Sequence, residues 1–356
     1  MKRLALSAVV AGAALLTGGD LPVASATAPM PFVSRAPSAE VASPRREAVS
    51  PRRAVVQRLK VTVLSTMLAG DPGRGIGEWG FAALLEVDGQ RLLIDTGARP
   101  GTVLQNAREL GIDLSTVGHV VLTHNHDDHT NGLLTLRREL RAKNPVALQV
   151  AHVAPEIFYS RGASNGVERN GVLRERSNYE ALGGRYEVHA SATELLPGVW
   201  FTGSIPRVHP ERNFGGVGGR GMGTVQTPAG AVEDNVPEDA SLVINTAEGL
   251  VVITGCGHAG IVNIVTKAQA MVPNTTVHAI VGGMHLLNAS DETLAWTGGE
   301  LKARGVDYLL GVHCTGVEAT YRLRSLLGLS RSAAATGAVG SSFTLGAGID
   351  PLVLAR

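Results

Sequence analysis

Three histidines and two aspartates fall within six residues of the segment THNHDDHTNGL, directly after a short apolar run. Imidazole nitrogens and carboxylate oxygens bind Zn²⁺ at roughly 2.0 to 2.2 Å, and a site built from them can keep a position open for water. Because side chains alternate along an extended backbone, His124 and His126 can reach one centre, and the following turn can direct Asp128 and His129 to a second. The segment therefore predicts a metal site rather than unrelated loop residues.

Further ligands are expected at the ends of later strands. His258 in VVITGCGHAG, His285 in AIVGGMHLL and His313 in YLLGVHCTG each follow a predicted strand. Since loops converge at the strand ends of an α/β sheet, these residues are candidate partners of the first cluster. His209 is a weaker candidate. Four other histidines lack this context and are expected to be structural: His119, His152, His189 and His278.

The two cysteines, Cys256 and Cys314, each lie within two residues of a candidate ligand. Three interpretations remain open at this stage. The pair forms a disulfide, as is common in exported chains; Cys256 is a soft metal ligand; or both are small buried packing residues.

The N-terminus has the features of an export signal. A Lys-Arg start, an apolar stretch of roughly a dozen residues and the small residues Ala-Ser-Ala predict a cleaved signal peptide over residues 1–26 and a secreted or periplasmic protein. An uncleaved anchor is disfavoured because a span needs about 18 to 20 apolar residues, and no later run is long enough. Residues 27–57, rich in Pro, Ser, Ala and Arg, predict a disordered linker before one domain over residues 58–356.

Composition limits the function classes. With 356 residues and a net charge of +1, the chain can bury a substantial core and has no basic surface that would favour nucleic acid. The 44 glycines and 4% aromatic residues suit a loop-rich α/β protein. We therefore expect a small-molecule substrate.

The order of predicted elements indicates layered sheets. An early strand and a hairpin with Asp88-Gly89 at its turn precede the histidine segment, and strands alternate with helices in the last third. Strands are predicted at residues 59–66, 81–87, 91–95, 120–122, 146–151, 241–245, 250–254, 277–281 and 308–312. Helices are predicted at residues 102–110, 131–142, 261–271, 292–304 and 317–327.

These motifs together resemble the metallo-β-lactamase-fold hydrolases. The segment THNHDDH is similar to that superfamily's principal metal motif, and LLIDTG looks like the strand that carries its early Asp. WGFAALLE, TGCGHAGIVNIV, VGGMHL and HCTG resemble the branch named for 7,8-dihydropterin-6-methyl-4-(β-D-ribofuranosyl)aminobenzene-5′-phosphate synthase. The resemblance spans about residues 59–343.

The resemblance implies a four-layer αββα sandwich with a dinuclear site, usually zinc, with Mn²⁺ or Fe²⁺ as alternatives. Asp95 carries over as a residue that orients the histidine loop. Two departures stand out: a separate His ligand of the superfamily has no clear equivalent unless His209 or His258 serves, and Cys256 replaces the usual bridging Asp. The ligands implied are His124, His126, Asp128, His129, His258 and His313.

The expected activity is metal-dependent hydrolysis of an ester, lactone, amide or phosphoester by an exported enzyme. Such a site lowers the pKa of a bound water to about 7, giving a hydroxide nucleophile. Asp128 is expected to orient or deprotonate that water, and His285 to donate to the leaving group or the oxyanion. Three arginines near a glycine-rich loop, Arg207, Arg212 and Arg220, are either substrate contacts or solvated. The alternatives are a non-catalytic metal- or ligand-binding protein, a pterin-condensing synthase and a β-lactamase.

Overall fold

The structure, a computed structural model, describes residues 53–162, 166–215, 222–273 and 275–355. The predicted signal peptide, most of the predicted linker, and part of the glycine-rich loop with Arg220 lie outside these ranges. Residues 53–57, the last of the predicted linker, are included. Val56 is 1% exposed, and its N–H donates to the carbonyl of Asn245 at 2.9 Å. These last linker residues thus pack against the domain.

The first large sheet begins as a hairpin meander and ends as a parallel sheet. In spatial order its described strands are β17 (Gly348–Asp350), β16 (Ser342–Thr344), β1 (Leu59–Ser65), β2 (Ala82–Val87), β3 (Gln90–Ile94), β4 (His119–Val121), β5 (Val150–Val153) and β6 (Arg185–Val188). Pairing is antiparallel from β17 to β3 and parallel from β3 to β6. Asp88 and Gly89 both have positive φ, as the tight turn between β2 and β3 requires.

The second large sheet has the same mixed character. Its described strands are, in spatial order, β15 (Ala334–Thr336), β14 (Tyr308–Gly311), β13 (Val277–Gly282), β12 (Gly249–Thr254), β11 (Ser241–Thr246), β8 (Val199–Phe201) and β7 (Thr193–Leu196). Pairing is parallel from β12 to β15 and antiparallel from β12 to β7. A separate ribbon pairs β9 (Thr224–Thr227) with β10 (Gly230–Glu233).

Helices cover the outer faces of both sheets. They are α1 (Thr102–Glu109), α3 (Leu133–Arg141), α4 (Gly171–Ala181), α5 (Ile261–Met271), α6 (Asp291–Ala303) and α7 (Val317–Leu327). The four-residue α2 (Asp127–Thr130) lies instead in the histidine segment after β4. One apolar cluster fills the space between the sheets, a second lies under α1, α3 and α4, and a third lies under α5, α6 and α7. This arrangement confirms the predicted α/β class and its four-layer αββα sandwich.

Two sequence-based element predictions need correction. The strand predicted at residues 146–151 begins later than expected, since residues 145–148 form a turn, with Leu148 at a φ of 45°, and β5 spans Val150–Val153. Ala147 and Leu148 are buried, but an apolar run alone does not distinguish a strand from a buried turn. The histidine segment also contains a short helix, α2, where only a loop was expected. Among the described residues, no helix combines the length and apolarity needed to cross a membrane.

Candidate metal centre

Several parallel strands of the two sheets end at the same side of the sandwich. The loops that leave β3 and β4 in one sheet meet those that leave β12, β13 and β14 in the other. Each of these loops carries residues from the sequence motifs. They are Asp95 after β3, His124, His126, Asp128 and His129 after β4, Cys256 and His258 after β12, His285 after β13, and His313 after β14.

One group of imidazoles comprises His124, His126 and His258. The ring centroids are 4.5 Å apart for His124 and His126, 4.9 Å for His124 and His258, and 4.8 Å for His126 and His258. The Nδ1 atom of His258 donates to the carbonyl of Asn213 at 2.8 Å, which leaves its Nε2 as the atom facing the group. The Nε2 atoms of His124 and His126 are buried and have no hydrogen-bond partner among the described residues.

A second group comprises Asp128, His129 and His313. The rings of His129 and His313 are 5.0 Å apart, and Nε2 of His313 lies 3.3 Å from Oδ2 of Asp128. That pair lacks the alignment of a hydrogen bond, so both ring nitrogens of His313 are unpartnered within the described ranges. His313 has a φ of 47°, a strained value for a non-glycine residue, and such strain is concentrated at functional sites.

Asp95 supports both groups from behind. Its Oδ2 accepts from Nδ1 of His129 at 2.7 Å, while Thr123 donates to its carboxylate through the backbone N–H and the hydroxyl, both at 2.8 Å. The Thr123 hydroxyl is also 3.0 Å from Nδ1 of His124. Gly255 leaves room for this network, because a Cβ there would collide with Oγ1 of Thr123 and Oδ2 of Asp95.

Cys256 lies between the two groups. Its Sγ is 3.0 Å from Nε2 of His129, and it lies within 4.8 Å of ligand atoms of both His258 and His313. Both cysteines are free and buried, so the disulfide interpretation is not what the structure contains. Burial raises the pKa of the Cys256 thiol, which is therefore neutral unless a cation lies beside it.

Burial controls the protonation of the histidines. It lowers the pKa of His126 to about 4 and holds the pKa values of His124 and His258 well below their ordinary range. These rings are neutral at pH 7, which is the form that binds metal. Burial also lowers the pKa of His129, but the charge and hydrogen bond of Asp95 outweigh it and raise the pKa to about 9.

Asp128 is an ionised carboxylate. Burial raises its pKa, but the neighbouring imidazoles His313, His129 and His126 lower the pKa by more, to well below the ordinary value. Its side chain is 23% exposed, whereas that of His313 is fully buried. The carboxylate can therefore contact both a cation and a molecule that enters from solvent.

His285 lies at the edge of the centre, with its ring 4.4 Å from that of His258. Its Nε2 donates to the carbonyl of Gly215, and its Nδ1 has no partner among the described residues. Burial lowers the pKa of His285, but neighbouring Cys314 and the Gly215 carbonyl raise it above the ordinary value. A cavity of about 300 Å³ lies at the centre and is lined by Trp79, His285, His313 and Cys314, among others. A larger cavity of about 870 Å³ adjoins it and shares three of these lining residues, Trp79, His285 and Cys314.

A buried ionic network holds the histidine loop, and sequence reasoning missed it. Arg161 donates to Asp234 and to Glu238, both at 2.7 Å, and Glu238 accepts from the backbone N–H of Asn125 at 3.2 Å. Burial raises the pKa of Glu238 to about 7, although Arg161 opposes this. No local motif marks these residues, because Arg161 lies more than 70 positions from both Asp234 and Glu238.

The remaining sequence candidates lie elsewhere. His209 contacts Thr266 at 3.1 Å and takes no part in the centre. Arg207 is partly exposed and donates to the carbonyls of Val236 and His258 beside the centre. Arg212 pairs with Glu233 at 3.1 Å on the rim of the larger cavity.

The residues present fit a divalent metal pair. Buried imidazole nitrogens with no partner in the described part of the chain are costly unless a cation or water satisfies them. The donor set of imidazoles, one carboxylate and one thiol is that of zinc or a similar transition ion. His124, His258 and Cys256 have ligand atoms within 4.8 Å of one another and would hold one ion, and His129, His313 and Cys256 would hold the other. His126 lies 3.2 Å from His258, and Asp128 lies 3.3 Å from His313, so each could complete one of these sets.

Comparison with known proteins agrees with this fold. The sequence profile of the metallo-beta-lactamase superfamily matches residues 80–256. A solved structure of a metal-dependent hydrolase of the beta-lactamase superfamily is 25% identical, covers 80% of this chain and 98% of its own, and has a TM-score of 0.61.

Two proteins of Methanocaldococcus jannaschii are also similar in sequence. The 7,8-dihydropterin-6-methyl-4-(β-D-ribofuranosyl)-aminobenzene-5′-phosphate synthase is 31% identical over 273 residues, which are 74% of this chain and 90% of the synthase. An uncharacterized protein is 27% identical over 249 residues, 69% of this chain and 88% of that protein. The chain therefore belongs to the metallo-beta-lactamase superfamily. Within it, the chain falls in the branch that contains this synthase.

Proposed function

We propose that this protein is a metal-dependent hydrolase of small molecules that carry an ester, lactone, amide or phosphoester bond. The observation that supports it best is the convergence of five imidazoles, four of them buried, and one ionised carboxylate beside an open cavity. When bound, such ions polarise a carbonyl or phosphoryl oxygen and make water acidic enough to supply a nucleophile at neutral pH. Zn²⁺ is the ion that we would test first, with Mn²⁺ and Fe²⁺ as alternatives.

The chain's own residues would divide the remaining work. Asp128, held ionised, accepts a hydrogen bond from the attacking water and orients it. Nε2 of His285 keeps its proton and donates it in a hydrogen bond to the Gly215 carbonyl. The raised pKa of His285 favours a second proton on Nδ1, which the ring donates to the leaving group. Trp79, whose ring is 4.7 Å from that of His313, forms an apolar wall that limits water at the reacting bond.

The experiment combines metal analysis with a substrate panel. Purified protein and His126→Ala are assayed on chromogenic phosphodiesters, lactones and β-lactams, before and after a chelator. We expect turnover by the wild type, loss with the chelator, recovery with Zn²⁺, and loss in the variant. His209→Ala, which changes a histidine outside the centre, is the matched control and should behave as wild type. Stable metal without turnover would favour a non-catalytic binding protein, and carbapenem hydrolysis would favour a β-lactamase.

A second candidate is a condensation of the kind that the relative's name describes. The 31% identity over 90% of the synthase supports it. Both candidates need the same ligands, so only the product separates them. Formation of a coupled pterin product by the metal-loaded protein, without hydrolysis of any panel substrate, would select the synthase.

We further propose that the protein is exported. The sequence pattern of residues 1–26 supports this, although it lies outside the described residues. N-terminal sequencing of protein recovered outside the cytoplasm should begin at Thr27. Recovery of the chain only inside the cell, with Met1 or Lys2 at its start, would contradict the proposal.

A further inference from the structure

A second set of histidines meets at the far edge of the first sheet and shares no residue with the metal centre. We call His119, His152, Glu187 and His189 the edge cluster. The register of β5 and β6 places His152 beside Glu187. His189 follows Glu187 by two positions and extends the ladder, since its N–H donates to the carbonyl of Val153 at 2.9 Å. Side chains two apart share one face of a strand, so both face His152.

The ligand atoms of the edge cluster are close enough to share an ion. Nδ1 of His152 is 2.9 Å from Nε2 of His189 and 3.6 Å from Oε2 of Glu187. Two bonds of about 2.1 Å to one zinc ion place their ligand atoms about 3.0 to 3.6 Å apart for angles of about 90 to 120°. The observed separations match that range with little adjustment.

The other contacts of the edge cluster orient these atoms. Nε2 of His152 lies 2.9 Å from Nδ1 of His119. When Nε2 carries the proton and donates to His119, the lone pair of Nδ1 points at His189 and Glu187. Arg185 donates to Oε1 of Glu187 at 3.0 Å, which leaves Oε2 directed at His152. In metal sites, a ligating histidine usually has its second ring nitrogen hydrogen-bonded, and a ligating carboxylate is usually held by a hydrogen-bond donor. The edge cluster has both kinds of contact.

Burial and access also suit an ion. His152 is 4% exposed, whereas the side chain of Glu187 is 40% exposed and His119 is on the surface. An ion can therefore enter from solvent and bind a ligand that is fixed by packing. Burial, followed by the charge of His119, lowers the pKa of His152 to about 4, so its ring is neutral at pH 7.

We propose that the edge cluster is a second, separate binding site for a divalent transition-metal ion, held by Nδ1 of His152, Nε2 of His189 and Oε2 of Glu187. Two imidazoles and one carboxylate form a donor set that zinc accepts, with solvent completing the coordination. His119 is a positioning residue that fixes the tautomer of His152. Because Glu187 and His189 come from the edge strand β6 and its extension while His152 comes from β5, the ion would fasten that edge to the sheet.

The test is zinc stoichiometry of the full chain after equilibrium dialysis at micromolar free Zn²⁺. Wild type should hold one more ion per chain than His189→Gln and Glu187→Gln, which change half-exposed residues and leave the core intact. His119→Gln should lower the affinity for this ion about 10- to 100-fold, because it leaves all three ligands in place but removes the hydrogen bond that orients His152. His278→Gln is the matched control, since that histidine also contacts carboxylates, Glu248 and Asp307, both at 3.0 Å. It should keep the wild-type stoichiometry.

A second readout does not depend on variants. The imidazole ¹H–¹⁵N resonances of His152 and His189 should shift as the last equivalent of zinc binds, with the hydrolytic rate unchanged. Equal stoichiometry in wild type and His189→Gln, with those resonances unmoved, would show a hydrogen-bonded histidine chain without metal and would overturn the proposal. Binding that needs millimolar zinc would overturn it as well. Failure of hydrolysis would not bear on it, because the ion count is independent of turnover.

Discussion

Oδ2 of Asp95 lies 2.7 Å from Nδ1 of His129, and neither side chain is exposed. This contact fixes the proton on Nδ1, so that Nε2 of His129 faces Cys256 and the second ligand group. The same carboxylate accepts two hydrogen bonds from Thr123, the residue before His124. One buried aspartate therefore positions ligands of both groups.

Replacement of that aspartate tests this role. In Asp95→Asn, the new amide group would face the hydrogen-bond donors of Thr123, and His129 would lose the negative charge that holds its ring. We expect metal affinity to fall about 10- to 100-fold and the free energy of unfolding to fall by about 3 kcal/mol. Metal titration and urea unfolding measure both. Asp307→Asn is the control, since Asp307 makes a similar contact with His278 at 3.0 Å but is 62% exposed. Equal metal affinity in Asp95→Asn and wild type would refute the role.

Cys256 offers a spectroscopic prediction. Because its Sγ lies among ligand atoms of both groups, a cobalt-loaded protein should show a thiolate-to-cobalt charge-transfer band in the near ultraviolet. Cys256→Ser should lose this band, and Cys314→Ser should keep it. Persistence of the band in Cys256→Ser would assign it to Cys314, whose Sγ lies within 4.8 Å of ligand atoms of Cys256 and His285, and would leave Cys256 as a packing residue.

Removal of the Arg161 guanidinium from its buried ionic network with Asp234 and Glu238 should cause a large loss of stability. Arg161→Met keeps the volume but leaves two carboxylates buried without their cation, which costs about 3 to 5 kcal/mol. Arg74→Met, which breaks an exposed pair with Asp71 at 3.1 Å, should cost less than about 1 kcal/mol. Urea unfolding of both variants at pH 7 measures the difference. A loss below that of the control would show that Arg161 does not stabilise the loop.

Acid stability should depend on His152. Its folded pKa of about 4 lies below the unfolded value of 6.5, so the unfolded chain binds a proton that the folded chain does not. The stability contribution is therefore full above pH 6.5 and is lost as the pH falls towards 4, by about 3 kcal/mol in total. His152→Gln should reduce the proton uptake on unfolding by one in metal-free buffer. An equal pH slope of the urea midpoint in wild type and His152→Gln would contradict the prediction.

Local patterns in the sequence were enough to predict most elements near the centre. The Asp-Gly turn, the alternating apolar residues and the strand-helix order depend on neighbouring residues, so β1 to β4 and β11 to β14 lie close to their predicted positions. The strand predicted at residues 146–151 begins four residues later, at Val150, because Ala147 and Leu148 are buried in a turn that depends on contacts with distant residues. The histidine motif likewise identified candidate ligands by type and spacing alone.

Tertiary structure decided which of these side chains meet. His126 and His258 are 132 positions apart, and only the packing of the two sheets brings Nδ1 of His126 within 3.2 Å of Nε2 of His258. Arg161 contacts Glu238 across 77 positions with no local signal. The sequence predicts only structural roles for His119, His152 and His189, and strand register brings them together. Residue chemistry and local spacing are properties of short segments, and sequence alone determines them. Register and loop convergence arise from packing between distant segments, and they exist only in the folded chain.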